Sequence, residues 1–210
     1  LISTILSLSI SPFEQSITYR DPYYDPALKR RNVAQIAKRW GLAQAPGSAP
    51  PFSMVEGDYG DAALLDALLA EGRFEAVIHL AAQAGVRPSI QDPARYEQAN
   101  VTNLVIFLEA LRKHGPKRIV AASSSSVYGN ETPLPFREDA PCLCPESPYG
   151  ASKRAAEVYL GVYAKQFGFE VMVVRPFTVY GPRQRPDMAI APFSRKILLV
   201  RRVRFRRSRR

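Results

Sequence analysis

From residue 26 onward, short apolar runs alternate with longer segments whose apolar residues recur every three or four positions, and that alternation restricts the fold more than any other feature. Residues 26–42 are basic and amphipathic and predict a helix, 52–56 a short strand, and 62–69 a second helix. The apolar run 74–80 suits a strand buried on both faces. Residues 95–114 carry helical spacing, 117–123 read as a strand, 149–167 as a helix, and 170–176 as a Val-rich strand. Strands that take turns with helices are joined by right-handed crossovers, so the expected fold class is α/β with a doubly wound parallel sheet. The Pro-rich stretches 45–52 and 132–148 predict loops, and the second leads straight into Tyr149.

Composition places the charge rather than the fold. The net charge of +10 suggests a polyanion partner until it is located. Residues 194–210 hold nine of the 29 basic side chains and no acid, which leaves 20 basic against 19 acidic residues elsewhere. This Arg-rich tail can attract polyanions, but it has one aromatic for base stacking and no groove-fitting helix pattern, so no nucleic-acid partner is expected. At 210 residues, 46% of them hydrophobic, the chain can bury one sizeable core. Cys142 and Cys144 are too close in sequence for an unstrained disulfide and too few for a zinc site. They read as free thiols of a reducing compartment, the cytoplasm. The first ten residues are apolar but lack a charged leader and are too short to span a bilayer, so no membrane partner is expected, and no metal.

A doubly wound sheet binds ligands beyond the carboxyl ends of its strands. Asp58, Ala81-Ala82, Ser124–Ser126 and Phe177-Thr178 all fall at such ends. The loop before the next helix delivers Ser147-Pro148-Tyr149-Gly150-Ala151-Ser152-Lys153, in which Ser147 and Pro148 predict an N-cap and a first helical residue. Tyr149 and Lys153 then share one helix face. An ammonium beside a phenol lowers the phenol's pKa from its ordinary value near ~10. With Ser124 placed 25 residues upstream of Tyr149, the set can take a proton from an alcohol whose carbon loses hydride. Taken alone, the Tyr and Lys also fit an ordinary surface helix.

With these residues in place, the chain resembles the extended short-chain dehydrogenase/reductases, the NAD-dependent epimerase/dehydratase family, and within it the UDP-glucuronate 4-epimerases. The resemblance rests on His79-Leu80-Ala81-Ala82-Gln83-Ala84-Gly85-Val86-Arg87, on Phe177-Thr178-Val179-Tyr180-Gly181-Pro182, on Arg185-Pro186-Asp187-Met188-Ala189 and on Tyr23-Tyr24-Asp25-Pro26-Ala27-Leu28-Lys29-Arg30. It implies a Rossmann-like core over residues 21–193, NAD as cofactor, a UDP-sugar substrate and a homodimer built on the 95–114 and 149–167 helices. It implies Tyr149 as the base at the sugar O4, Lys153 on Tyr149 and the nicotinamide ribose, and Ser124 on the reacting oxygen. Asp58 with Tyr59, the backbone of Leu80, Ala81, Ala82 and Gln83, Asn100, and Pro176 with Phe177 would hold NAD. Ser125, Ser126 and Thr178 would cradle a sugar carboxylate, since related dehydratases carry an Asp-Glu pair where the two serines stand. Arg185, and less directly Arg183, would grip the substrate. His79 reads as a structural strand residue with a hydrogen bond.

Two departures qualify the resemblance. The family opens with a strand and a Gly-x-x-Gly-x-x-Gly turn under the cofactor pyrophosphate, whereas the first glycine here is Gly41 and Thr18 stands where a ribose-binding acid is expected. The chain is therefore expected to lack the usual first strand and glycine turn, with residues 1–20 as an atypical segment whose apolar start could fill the gap as a surrogate strand. Most of the C-terminal substrate domain is also expected to be missing, with 194–210 as a tail. Three readings stay open: an epimerase of UDP-hexuronates working through a 4-keto sugar, a related dehydratase or reductase, and a non-catalytic remnant.

Overall fold

The computed structural model describes residues 3–8, 13–18, 25–40, 52–71 and 74–199. The expectations for residues 21–24, 41–51 and 200–210 lie outside them. Six strands form one sheet: β1 (Ser3–Leu8), β2 (Phe13–Thr18), β3 (Phe52–Glu56), β4 (Ala76–His79), β5 (Arg118–Ala122) and β6 (Glu170–Val174), in the order β3-β2-β1-β4-β5-β6. The helices are α1 (Pro26–Trp40), α2 (Ala62–Glu71), α3 (Val86–Gln91), α4 (Pro93–Glu97), α5 (Asn103–His114), α6 (Pro148–Phe167) and α7 (Ile190–Leu198). Each expected helix and strand is present within a few residues, and the architecture is the doubly wound α/β type.

The sheet departs from an all-parallel one at its centre. β4, β5 and β6 pair in parallel, as do β2 and β3, but β1 runs antiparallel to both of its neighbours. The apolar N-terminal segment thus fills the central position as a surrogate strand. Its direction follows from its link to β2: the four intervening residues allow a hairpin, whereas a parallel pair needs a crossover of about a dozen or more. Ile5 pairs with His79 and Leu8 with Ala76, so β1 brings its amino end to the edge where β4 ends.

Burial is one-sided. Val77 and His79, Ile119 and Ala121, and Val171 and Val173 stand in register across β4, β5 and β6, as the period of two requires. They face Leu65 and Leu69 of α2, Leu104, Phe107, Leu108 and Leu111 of α5, and Ala156, Leu160 and Tyr163 of α6. Each fully buried leucine there contributes roughly 1.5–3 kcal/mol. On the opposite face Val120 and Ala122 are half-buried, and Met172 is 62% exposed. The 74–80 run is therefore not buried on both faces: β4 is shorter and alternates between buried and half-buried.

Candidate active site

The 95–114 segment and the serine run are each shaped by a break in regular structure. At the end of β5 the chain turns through a single 3-10 turn, Ser125–Val127, capped by the Ser124 hydroxyl, which accepts the Ser126 N–H at 3.1 Å. That bond leaves the Ser124 hydroxyl proton able to donate. The first turn of α6 lies against this serine turn: a Cβ built on Gly150 would come within 2.6 Å of the Ser126 carbonyl oxygen. Only glycine permits this approach. Ser147 caps α6 by accepting the Gly150 N–H at 3.1 Å, and Pro148 is its first residue, as the sequence predicted. Tyr149 is half-buried, and its ring meets Tyr96 edge-on at 6.1 Å.

Lys153 is buried one turn further on, and its ammonium makes no hydrogen bond among the described residues. Burial pulls its pKa down to about 8, against the opposing pull of Glu157. Glu157 lies one more turn along the same face. Arg175, just past β6, forks onto it through Nε to Oε1 and Nη2 to Oε2, both at 2.9 Å, while Arg154 reaches Oε2 at 3.0 Å. Burial pushes the Glu157 carboxyl up, but the bonds from Arg175 and Arg154 prevail and hold it below the usual carboxylate range. Arg175 also donates to the Glu138 carbonyl at 3.1 Å and lies 5.0 Å from the Tyr128 ring centroid.

Asn100 sits in a π turn, Gln98–Thr102, that interrupts the helical run from Pro93 to His114. A π turn often marks a functional position, because the widened turn redirects a side chain. Asn100 is buried; its Oδ1 accepts the Gln83 N–H at 2.6 Å, and its Nδ2 donates to the Gln83 carbonyl and to Ser152 Oγ, both at 2.9 Å. One side chain thus ties the segment after β4 to the residue beside Lys153. In that segment Ala81, Ala82 and Gln83 are buried and Leu80 is partly exposed.

Asp58 is exposed at the end of β3 and accepts the Gly60 N–H at 2.9 Å. The Tyr59 side chain does not join it at the ligand edge. It points into the core edge-on to His79 at 5.3 Å, with its hydroxyl buried and unpaired. Its pKa is raised by burial first and by Asp58 second. The Tyr59 side chain is thus committed to core packing, which leaves its backbone, beside Asp58, as the part that could meet a ligand. His79 is a core residue, as expected, but the expected hydrogen bond is absent at Nδ1, which is buried without a partner. The ring stacks on Phe107 at 5.2 Å instead.

Beyond β6, Pro176 accepts the Ser125 N–H at 3.1 Å through its carbonyl. Phe177 and Thr178 are exposed, and Phe177 stacks at 6.1 Å on Phe136, which stacks on Tyr128 at 4.6 Å. Arg185 spends its guanidinium on Asp187, at 3.1 and 3.0 Å, so it would have to leave that pair to hold a substrate. Arg183 is exposed. The structure thus brings Pro176 to Ser125 and the first turn of α6 to Ser126 at the ends of β5 and β6, while Arg185 is engaged with Asp187. The sequence reading missed Glu157 and Arg175. Glu157 repeats the four-residue step of Tyr149 and Lys153, which was a usable signal; Arg175 offered none.

Comparison with known proteins shows which family carries this arrangement. The description "NAD dependent epimerase/dehydratase family" matches residues 20–207, and the chain belongs to that family. A UDP-glucuronate 4-epimerase of Arabidopsis thaliana is 44% identical over 177 residues, 84% of this chain and 39% of that protein. The chain thus spans well under half the length of that curated relative. Among solved structures, the UDP-glucuronic acid 4-epimerase of Bacillus cereus in complex with UDP-glucuronic acid and NAD superposes with a TM-score of 0.69 at 33% identity, covering 83% of this chain and 51% of that one. A dTDP-glucose 4,6-dehydratase from Streptomyces venezuelae, with NAD bound, gives a TM-score of 0.70 at 30% identity, covering 81% and 49%.

The residues present fit one end of NAD. Lys153 offers a buried ammonium with unused donors, suited to a ribose diol, and the small residues Ala81 and Ala82 allow close backbone approach. The pyrophosphate end differs: β1 is antiparallel and no glycine precedes Gly41, so the described residues contain no glycine turn beside β4.

Proposed function

We propose that this chain carries the catalytic half of an NAD-dependent nucleotide-sugar 4-epimerase that acts on a UDP-hexuronate through a 4-keto sugar. The observation that supports this reading is the seating of the first turn of α6 on the serine turn, with Gly150 against the Ser126 carbonyl one residue after Tyr149. Tyr149, as phenolate, takes the proton of the sugar O4. Lys153 keeps most of its positive charge at pH 7, since its pKa is about 8, and so favours that phenolate. Ser124 donates its free hydroxyl proton to the same oxygen. When bound, NAD supplies a reversible hydride acceptor. Lys153, the 80–83 backbone braced by Asn100, Asp58 and Pro176 would hold it. Ser125, Ser126 and Thr178 donate to the sugar carboxylate, and Arg185 grips the substrate after releasing Asp187. Serines cannot serve as the acid and base of a dehydratase. We place the protein in a reducing compartment on its two free thiols; no helix among the described residues is long and apolar enough to cross a membrane.

A second reading, a remnant without cofactor affinity, is favoured by the antiparallel β1 at the sheet centre. One experiment addresses both. Residues 25–193 are grafted into a UDP-glucuronate 4-epimerase relative, and the graft is expected to bind NAD and to interconvert UDP-glucuronate with its 4-epimer. Tyr149→Phe should lower kcat by about 10²–10⁴-fold with NAD retained. UDP-glucose should be turned over at least about tenfold less well, because hydrogen bonds to a charged acceptor are roughly twice as strong as neutral ones. An active Tyr149→Phe graft would refute the role of Tyr149, and calorimetric titration of the 210-residue chain with NAD separates enzyme from remnant.

A further inference from the structure

We propose that Glu157 and Arg175 are a positioning pair: their two-bond fork locks the face of α6 that carries Tyr149 and Lys153 to the strand position opposite Ser123, the residue just before Ser124. This rests on the function proposed above. Arg175 follows β6, and the two residues that flank it hold the serine segment. The Ser123 N–H donates to the Val174 carbonyl at 2.8 Å, and the Ser125 N–H donates to the Pro176 carbonyl at 3.1 Å. Arg175 therefore stands opposite Ser123, the residue just before Ser124, in an extension of the β5–β6 ladder. From that point Arg175 reaches across to α6 and takes both oxygens of Glu157 at 2.9 Å. Tyr149, Lys153 and Glu157 occupy successive turns of one face, so the fork fixes that face relative to the serine hydroxyl.

The pair is built for geometry more than for stability. Its partners are largely buried, with side-chain exposures of 16% for Arg175 and 5% for Glu157. Breaking even on desolvation is the usual result for such pairs, and their best-attested use is to select one arrangement. Arg175 is held on four sides: by both carboxylate oxygens, by the Glu138 carbonyl and by the Tyr128 ring. A lysine there would keep the charge but could not fork.

The test uses hydrogen exchange on the 210-residue chain, read by NMR, in Arg175→Lys, Glu157→Gln and the double variant. The Ser123 and Ser125 amides are expected to exchange at least about tenfold faster in each variant, while the Leu108 and Leu160 amides stay within about threefold. The double variant should match the singles, because either change already opens the fork. Uniform acceleration of all amides would reduce the pair to a stabilising contact and overturn the proposal, as would unchanged Ser125 exchange or additive effects. If Glu157→Gln fails to fold, Arg175→Lys decides alone. In the epimerase graft, Arg175→Lys should lower kcat at least about tenfold with KM within about threefold, since the pair touches no substrate. A graft inactive before substitution counts against the epimerase reading and leaves the exchange result to judge the pair.

Discussion

At the scale of single residues, His79 holds the clearest pH dependence. It is fully buried between the rings of Tyr59 and Phe107, and its pKa falls to about 3, by burial first and by the nearby Lys153 charge second. The unfolded chain binds a proton near ~6.5 that the folded chain refuses. Stability from this group is therefore full above pH 6.5 and is lost as pH falls from there toward 3. Between pH 6.5 and 5 the loss is about 2 kcal/mol. The carboxyls of Glu109, Glu157 and Asp139 are held low, so their contributions are lost only at more acid pH. His79→Leu should flatten the decline between pH 6.5 and 5 whatever it costs at neutrality. Urea unfolding at pH 7, 6 and 5 measures this; an unchanged slope would place the titrating group elsewhere.

At the scale of elements, two glycines bound to the same machinery should respond to alanine with opposite signs. Gly129 ends the serine turn at φ +68, and a Cβ there would lie 2.0 Å from the Cys144 carbonyl oxygen. Backbone in that position must move, so Gly129→Ala should destabilise by about 2–4 kcal/mol. Gly161 lies inside α6, and a Cβ there meets nothing within 4 Å. Gly161→Ala should stabilise by about 0.5–1 kcal/mol through helix propensity alone. Denaturant midpoints check both at once. A neutral Gly129→Ala would mean that the 128–144 loop yields freely and does not brace the site.

At the scale of the whole molecule, α6 works on two sides. Its inner face carries the candidate catalytic residues, and its outer face exposes Val158, Tyr159 and Val162 at helical spacing. Tyr163 donates to Glu109 at 2.5 Å and Arg112 lies 5.1 Å from the Phe167 ring centroid, so α5 and α6 form one rigid pair behind that stripe. A contiguous apolar stripe on paired helices suits a two-fold contact with a second copy. Light scattering is expected to show a dimer, and Val162→Asp to give a folded monomer by placing a charge at its centre. A dimer that survives Val162→Asp would move the interface off α6.

The sequence by itself determined what depends on near neighbours. Helix and strand periods placed the elements from α1 to β6 apart from the short α3, the Ser147-Pro148 start fixed where α6 begins, and the four-residue step put Tyr149 and Lys153 on one face; β2 and α7 were not foreseen. These follow from backbone geometry that a short window of residues sets. It also showed that the glycine turn was missing and that an apolar start could fill the gap, though not that β1 would enter antiparallel. Tertiary structure alone decided which face of β4 is buried, that Tyr59 turns inward, that Asn100 clamps Gln83 to Ser152, and that Arg175 forks onto Glu157. Each of these joins residues far apart in the chain. Such partners are chosen when elements stack, because buried polar groups must find one another in whatever space apolar packing leaves.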